Sequence, residues 1–117
     1  MPYSQAMIAD VVSLGRYETQ VAILMDEEER IAMEFFIASA PDDHPVIPGA
    51  GGFRKARWAR LGQGKSGGYR VIYFYVSPPG KVYMAAIYAK SRQANLSSAE
   101  QNALSGLAKA IKKEART

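Results

Sequence analysis

The sequence predicts a small α+β fold with the element order β-α-α-β-β-β-α, a mostly antiparallel sheet with its helices packed on one face. Three observations predict it. Phe53 to Ala59, Tyr69 to Ser77 and Lys81 to Ala89 are rich in aromatic and β-branched residues and are bounded by Gly, Pro or Ser. Two other segments carry apolar residues at helical spacing behind capping-box starts. With 117 residues, 48% of them hydrophobic, the chain has material for one core and not two, so residues 1–117 are expected to form a single domain.

The elements follow in order. Ala9 to Ser13 is a short strand candidate. In Arg16 to Leu24, Tyr17, Val21 and Leu24 fall at helical spacing. Asp26 is placed as the N-cap of the next helix, with Glu29 in the capping-box position and acids in the first turn. Ile31, Phe35 and Ala38 are expected on its inner face, with Ala32 and Phe36 beside them; Met25 and Met33 read as packing residues. Pro41 ends that helix, and Ser39 to Gly52 reads as a loop. Three strands come next. Pro78-Pro79-Gly80 is a tight turn, so the last two should form an antiparallel hairpin. Ser97 to about Lys113 is the final helix, opened by the capping box Ser97-Ser98-Ala99-Glu100. Its apolar stripe is Leu104, Leu107, Ala108 and Ile111.

Composition removes several function classes. The chain has no cysteine, so disulfides and thiolate metal sites are excluded. His44 is the single histidine, which leaves a His-based metal site or a Ser-His-Asp triad almost nothing to work with. No cofactor and no metal are expected. The apolar runs fall far short of the ~20 residues that span a membrane. Met1 to Asp10 lacks the basic and apolar regions of a signal peptide. A soluble, cytoplasmic protein is the expectation.

Charge is unevenly placed. His44 to Ala99 contains no aspartate or glutamate. Residues 1–52 hold nine acids against Arg16 and Arg30, a balance of −7; residues 53–117 hold thirteen bases against Glu100 and Glu114, a balance of +11. Such a split points to nucleic acid or an acidic partner. The plain alternative is that solvated strands and a helix end carry the lysines. Gly62-Gln63-Gly64-Lys65-Ser66 is not a phosphate-binding P-loop. Ala59 stands where the pattern needs glycine, and a strand follows where a helix is required. Lys65, at the tip of this connection, remains a phosphate-contact candidate.

Strand alternation groups the cations. Lys55 and Arg57 share a face, opposite Ala56 and Trp58. Arg70 shares parity with Ile72, Phe74 and Val76, and Lys90 with Tyr88, Ala86 and Met84. Three neighbouring strands would bring Lys55, Arg57, Arg70 and Lys90 onto one patch. For each base the competing reading is an edge residue that guards against aggregation; that reading is preferred for Lys81. A cation patch without carboxylates suits phosphodiester cleavage by an RNA 2′-hydroxyl, which needs charge stabilisation, a proton acceptor and a proton donor. Arg70 suits the first task through its planar fork. A lysine crowded by cations has a lowered pKa and suits proton transfer, so Lys55 and Lys90 are the candidates. Arg54 and Arg92 extend the basic set. Tyr88 is the best residue for stacking on an RNA base; Tyr73, Phe74, Tyr75 and Tyr83 read as sheet core.

Three blocks carry a resemblance. Ile47-Pro48-Gly49-Ala50-Gly51-Gly52-Phe53-Arg54-Lys55-Ala56-Arg57, then Gly64-Lys65-Ser66-Gly67-Gly68-Tyr69-Arg70-Val71-Ile72-Tyr73-Phe74, then Ile87-Tyr88-Ala89-Lys90, resemble the HigB-type toxins of the RelE superfamily. The similarity runs from about Leu24 to Leu107, and the ordered combination is more specific than any single block. It implies a RelE-like domain acting as the toxin of a type II toxin–antitoxin pair. Such a toxin is a ribosome-dependent endoribonuclease that cuts mRNA in the ribosomal A site, beside ribosomal RNA. It works without a metal, leaves a 2′,3′-cyclic phosphate, and is neutralised by a helix-turn-helix, HigA-like antitoxin. By position, Lys55 and Arg57 match the family's paired bases, Arg70 the arginine at the scissile phosphate, and Lys90, with Arg92 nearby, the base ending the last strand. A tyrosine found near the C-terminus of many relatives has no counterpart beyond Tyr88. A non-catalytic RNA- or ribosome-binding module and a basic face docking an acidic protein are the alternatives. Replacing Arg70 by Ala is expected to remove most activity and keep the fold, since a strand-end arginine contributes little packing.

Overall fold

The structure, a computed structural model, describes residues 8–59, 68–93 and 95–115. Its elements are β1 (Asp10–Ser13), α1 (Gly15–Leu24), α2 (Glu27–Ala38), β2 (Arg54–Trp58), β3 (Tyr69–Val76), β4 (Lys81–Ala89) and α3 (Ser98–Ala115). The predicted α+β class and element order hold. The sheet order is β1-β4-β3-β2, with β1 parallel to β4 and the other pairs antiparallel.

Local signals account for the boundaries. The Asp26 side chain accepts a hydrogen bond from the Glu29 amide at 2.8 Å, as a capping residue does. At α3 the Ser97 hydroxyl accepts from the Glu100 amide while the Glu100 carboxylate accepts from the Ser97 amide, a reciprocal capping box. β1 is short and pairs only with Lys81 to Met84 of β4. Beyond it α1 lies along the rest of that strand, and the Gln20 side-chain oxygen accepts from the Ile87 amide at 3.0 Å. A sheet edge that would otherwise expose unpaired groups is thereby covered.

One expectation about layering is corrected. The helices do not share a face. Tyr17, Val21, Met33 and Ile37 of α1 and α2 pack with Ala56, Val71, Tyr73, Val82, Met84 and Ile87 on one side. Ala108 and Ile111 of α3 pack with Phe53, Ile72, Phe74, Tyr83 and Ala85 on the other. β3 explains why. Its run Val71-Ile72-Tyr73-Phe74 is buried on both parities, so both faces of the sheet require a cover.

The inner face of α2 also differs from expectation. Met33, Ile37 and Ala38 are buried, whereas Ile31, Phe35 and Phe36 are exposed. Arg30 and Glu34 hold part of the inner face instead. Arg30 bonds Glu18, Glu34 and Ser13, and the Tyr17 hydroxyl donates to Glu34, a network that ties β1, α1 and α2 together. Burial, followed by the Glu34 carboxylate, pushes the Tyr17 hydroxyl far above its ordinary pKa.

Candidate nucleic-acid interface

Register decides which bases meet. Arg57 pairs with Arg70, and Arg70 with Tyr88, so the three form one row across β2, β3 and β4. The adjacent row on the same face is Lys55, Ile72 and Ala86. Lys90 stands one residue past β4, where its amide donates to the Gly68 carbonyl at 3.1 Å. The backbone of Lys90 therefore lies next to the Arg57–Arg70–Tyr88 row. This face is the one that α3 covers in part: Arg57 stays exposed, Lys55 is half-buried, and Lys90 is exposed.

Arg70 is the exception, at 5% exposure. Its guanidinium donates to the Tyr69 carbonyl at 3.2 Å and has no carboxylate within ion-pair distance among the described residues. Both ion pairs between described residues belong to Arg30, on the other side of the sheet. A desolvated cation without a carboxylate is costly to keep. The expectation that Arg70 contributes little packing is thereby corrected, because its stem is buried.

Tyr88 lies in this row half-buried, with its hydroxyl oxygen enclosed and without a hydrogen-bond partner among the described residues. Burial raises its pKa; the Arg70 charge opposes the shift and Glu100 adds to it. The ring is therefore part of the wall under α3 and not a free stacking platform. The proposed parity of Lys90, Tyr88, Ala86 and Met84 also breaks. A bulge pairs Ile72 with Ala86 but Tyr73 with Met84, so Met84 turns to the α1/α2 side while Ala86 and Tyr88 face α3.

Other candidates are dispersed. Arg54 pairs with Tyr73 on the opposite face, where its guanidinium donates to the His44 and Asp42 carbonyls and fastens the loop before β2. Lys65 and the Gly62–Ser66 connection lie outside the described residues. Arg92 is exposed and borders a groove of about 320 Å³ with Ile23, Leu24 and Ile87. Lys81 is at the far end of β4, opposite Asp10 and Val76. Tyr73, Phe74 and Tyr83 are buried core residues, as expected, and Tyr75 is partly buried. No group of three or more His, Asp or Glu residues among those described is placed to hold a metal ion.

The glycine-rich block acquires a structural role. Gly51, at φ 71°, passes so close to α3 that an added Cβ would stand 2.9 Å from the Ser105 Cα. Gly68, at φ 81°, sits where a Cβ would be 2.5 Å from the Trp58 carbonyl oxygen. These glycines let α3 and the ends of β2 and β3 close around the cation rows.

Residues 49–117, more than half of the chain, match the family model described as the RelE toxin of the RelE / RelB toxin-antitoxin system. The chain belongs to the RelE toxin family. The match spans Lys55, Arg57, Arg70, Tyr88 and Lys90 together with the glycine block and α3. Family membership carries the toxin role and an antitoxin partner. Among the described residues no helix is long and apolar enough to cross a membrane.

Proposed function

We propose that this RelE-family chain is a HigB-type, ribosome-dependent endoribonuclease that cuts mRNA in the A site and is neutralised by a HigA-like helix-turn-helix antitoxin in the cytoplasm. The observation that carries the reading is Arg70. A buried guanidinium with no carboxylate partner among the described residues, in register with Arg57 and one row from Lys55, is held ready for an anion such as a scissile phosphate. The three sequence blocks support the HigB-type assignment.

In the proposed reaction a base removes the proton of a 2′-hydroxyl, and the oxygen attacks the adjacent phosphorus. The bond to the 5′-oxygen breaks, an acid protonates that leaving oxygen, and a 2′,3′-cyclic phosphate and a 5′-hydroxyl result. Arg70 stabilises the extra negative charge of the phosphorane-like transition state, with Arg57 beside it. Lys55 and Lys90 are the proton-transfer candidates. Arg92 and Lys65 are assigned to contacts with the strand.

Primer extension on translating ribosomes tests this reading, comparing the wild-type chain with Arg70→Met. Loss of the guanidinium is expected to lower cleavage by ~10²–10³-fold. A wild-type chain that leaves the message intact on active ribosomes would overturn the enzyme reading and leave a non-catalytic RNA- or ribosome-binding module or a basic face that docks an acidic protein.

A further inference from the structure

We propose that the recess between the sheet, α1 and α3 is a pocket for one nucleobase that bears an exocyclic amino group. The RNA origin of that base rests on the reading above; the pocket itself rests on geometry. Its volume is about 230 Å³. That exceeds a ~150 Å³ cavity known to hold benzene and falls below the ~300 Å³ lower bound of drug-sized sites, so one heteroaromatic ring system is the matching guest.

Position links the recess to the cation rows. Ile72 on its floor is the cross-strand partner of Lys55, and Tyr88 is that of Arg70. The recess thus begins one strand spacing, about 5 Å, from the backbone positions of both residues. A phosphate on Arg70 and Lys55 would have its base beside the opening.

The polar groups define the guest. The Tyr88 hydroxyl is enclosed without a partner among the described residues. Glu100 contributes one carboxylate oxygen, Oε1, to Ser97 and Gln93, which leaves Oε2 available as an acceptor. The Gln20 oxygen is taken by the Ile87 amide, so its NH₂ offers donors only; Arg16 does the same. A carboxylate acceptor matches the amino group of adenine, cytosine or guanine, and the donors match ring nitrogens or carbonyls. An apolar side chain from a protein partner fits less well, because it would bury the second Glu100 oxygen and the Arg16 and Gln20 donors without hydrogen bonds.

The test is an NMR titration of the isotopically labelled full chain with AMP, CMP, GMP and UMP, with ribose 5-phosphate as the phosphate-only control. Saturable shifts at the Ala86, Tyr88, Glu100 and Ala103 amides are expected with AMP, CMP and GMP. UMP should bind about tenfold more weakly, a difference of ~1.4 kcal/mol. Tyr88→Phe should weaken the amino-bearing nucleotides by ~3–10-fold. Glu100→Gln keeps the capping box, since glutamine serves that position equally. It turns an acceptor into a donor, so it should narrow or reverse the preference against UMP, which a merely structural role would not do. No saturable shift at these amides, an equal response to UMP, or the same response to ribose 5-phosphate would each overturn the pocket. So would a recess that responds only to an antitoxin. A chain that cuts message without a base response retains the proposed function and loses the pocket; one that binds bases as described but cuts nothing does the reverse.

Discussion

Arg70 sets function against stability within a single side chain. A buried cation with no carboxylate partner among the described residues is a cost to the fold, while the same cation is the group best placed to neutralise a phosphorane. Arg70→Met retains the buried stem and removes the charge. It should unfold at the same or a higher temperature, by up to ~1–4 kcal/mol, while losing cleavage; a marked fall in Tm would show that the charge has a partner. Arg70→Ala should lose stability as well as activity, because it leaves a cavity. A second residue, His44, sits against Phe36 and Tyr73 with its Nε2 buried and without a partner among the described residues. Burial lowers its pKa below the ordinary 6.5, with Arg54 acting in the same direction and Asp43 against it. The folded state therefore binds its proton less readily than the unfolded chain. The His44 contribution is complete above pH 6.5 and declines as pH falls from there toward the depressed folded value. Denaturant titrations between pH 7.5 and 5 should show this loss in the wild type and a flatter profile in His44→Leu.

The elements show what periodicity conveys and where it stops. The Asp26 N-cap, the Ser97–Glu100 capping box, the Pro78–Gly80 turn and the stripe of α3 were legible, because each depends on residues within four or five positions of one another. The inner face of α2 was not. Ile31 and Phe35 fit a helical stripe as well as Met33 and Ile37 do, and the choice was made by Arg30 and Glu34 reaching Glu18 and Tyr17 on α1. The bulge opposite Ile72 and Tyr73 likewise escapes a parity count, because it inserts one residue into β4 only. The glycine block is clear as a motif, but its reason lies in α3. Gly51→Ala forces a φ of 71° on a residue with a Cβ and presses that Cβ against the Ser105 backbone. It should lower stability by ~1–3 kcal/mol and raise amide exchange along α3 before the rest of the chain. Exchange unchanged along α3 would mean that the loop and the helix do not depend on each other.

At the scale of the whole molecule, charge is sorted by face as well as by position in the chain. The acidic first half supplies α1 and α2 on one side of the sheet, while the cation rows and the basic end of α3 lie on the other. A polyanion then has one face to approach. If Lys55, Arg57, Arg70 and Lys90, with Arg92 and Lys65, each neutralise a phosphate of single-stranded RNA, log K should fall with log salt at a slope near −4.2, from ~0.7 per contact. Lys55→Ala or Arg57→Ala should each reduce that slope by ~0.7, whereas Arg54→Ala, on the other face, should leave it unchanged. Equal effects from all three would mean that the bases act as diffuse charge and not as a site.

The sequence by itself determined the elements, their caps, the charge split, the carboxylate-free set of bases and the resemblance that the family match bears out at the level of the RelE family. These are local or compositional properties and survive without knowledge of the fold. Only the tertiary structure decided that α3 takes the face opposite α1 and α2, that Arg54 leaves the cation group, that Arg70 is buried, and that Arg16, Gln20 and Glu100 meet Tyr88 around a recess. Each of those depends on strand register or on which side of a sheet a helix crosses. Such choices are made by contacts dozens of residues apart in the chain, and no spacing within a segment encodes them.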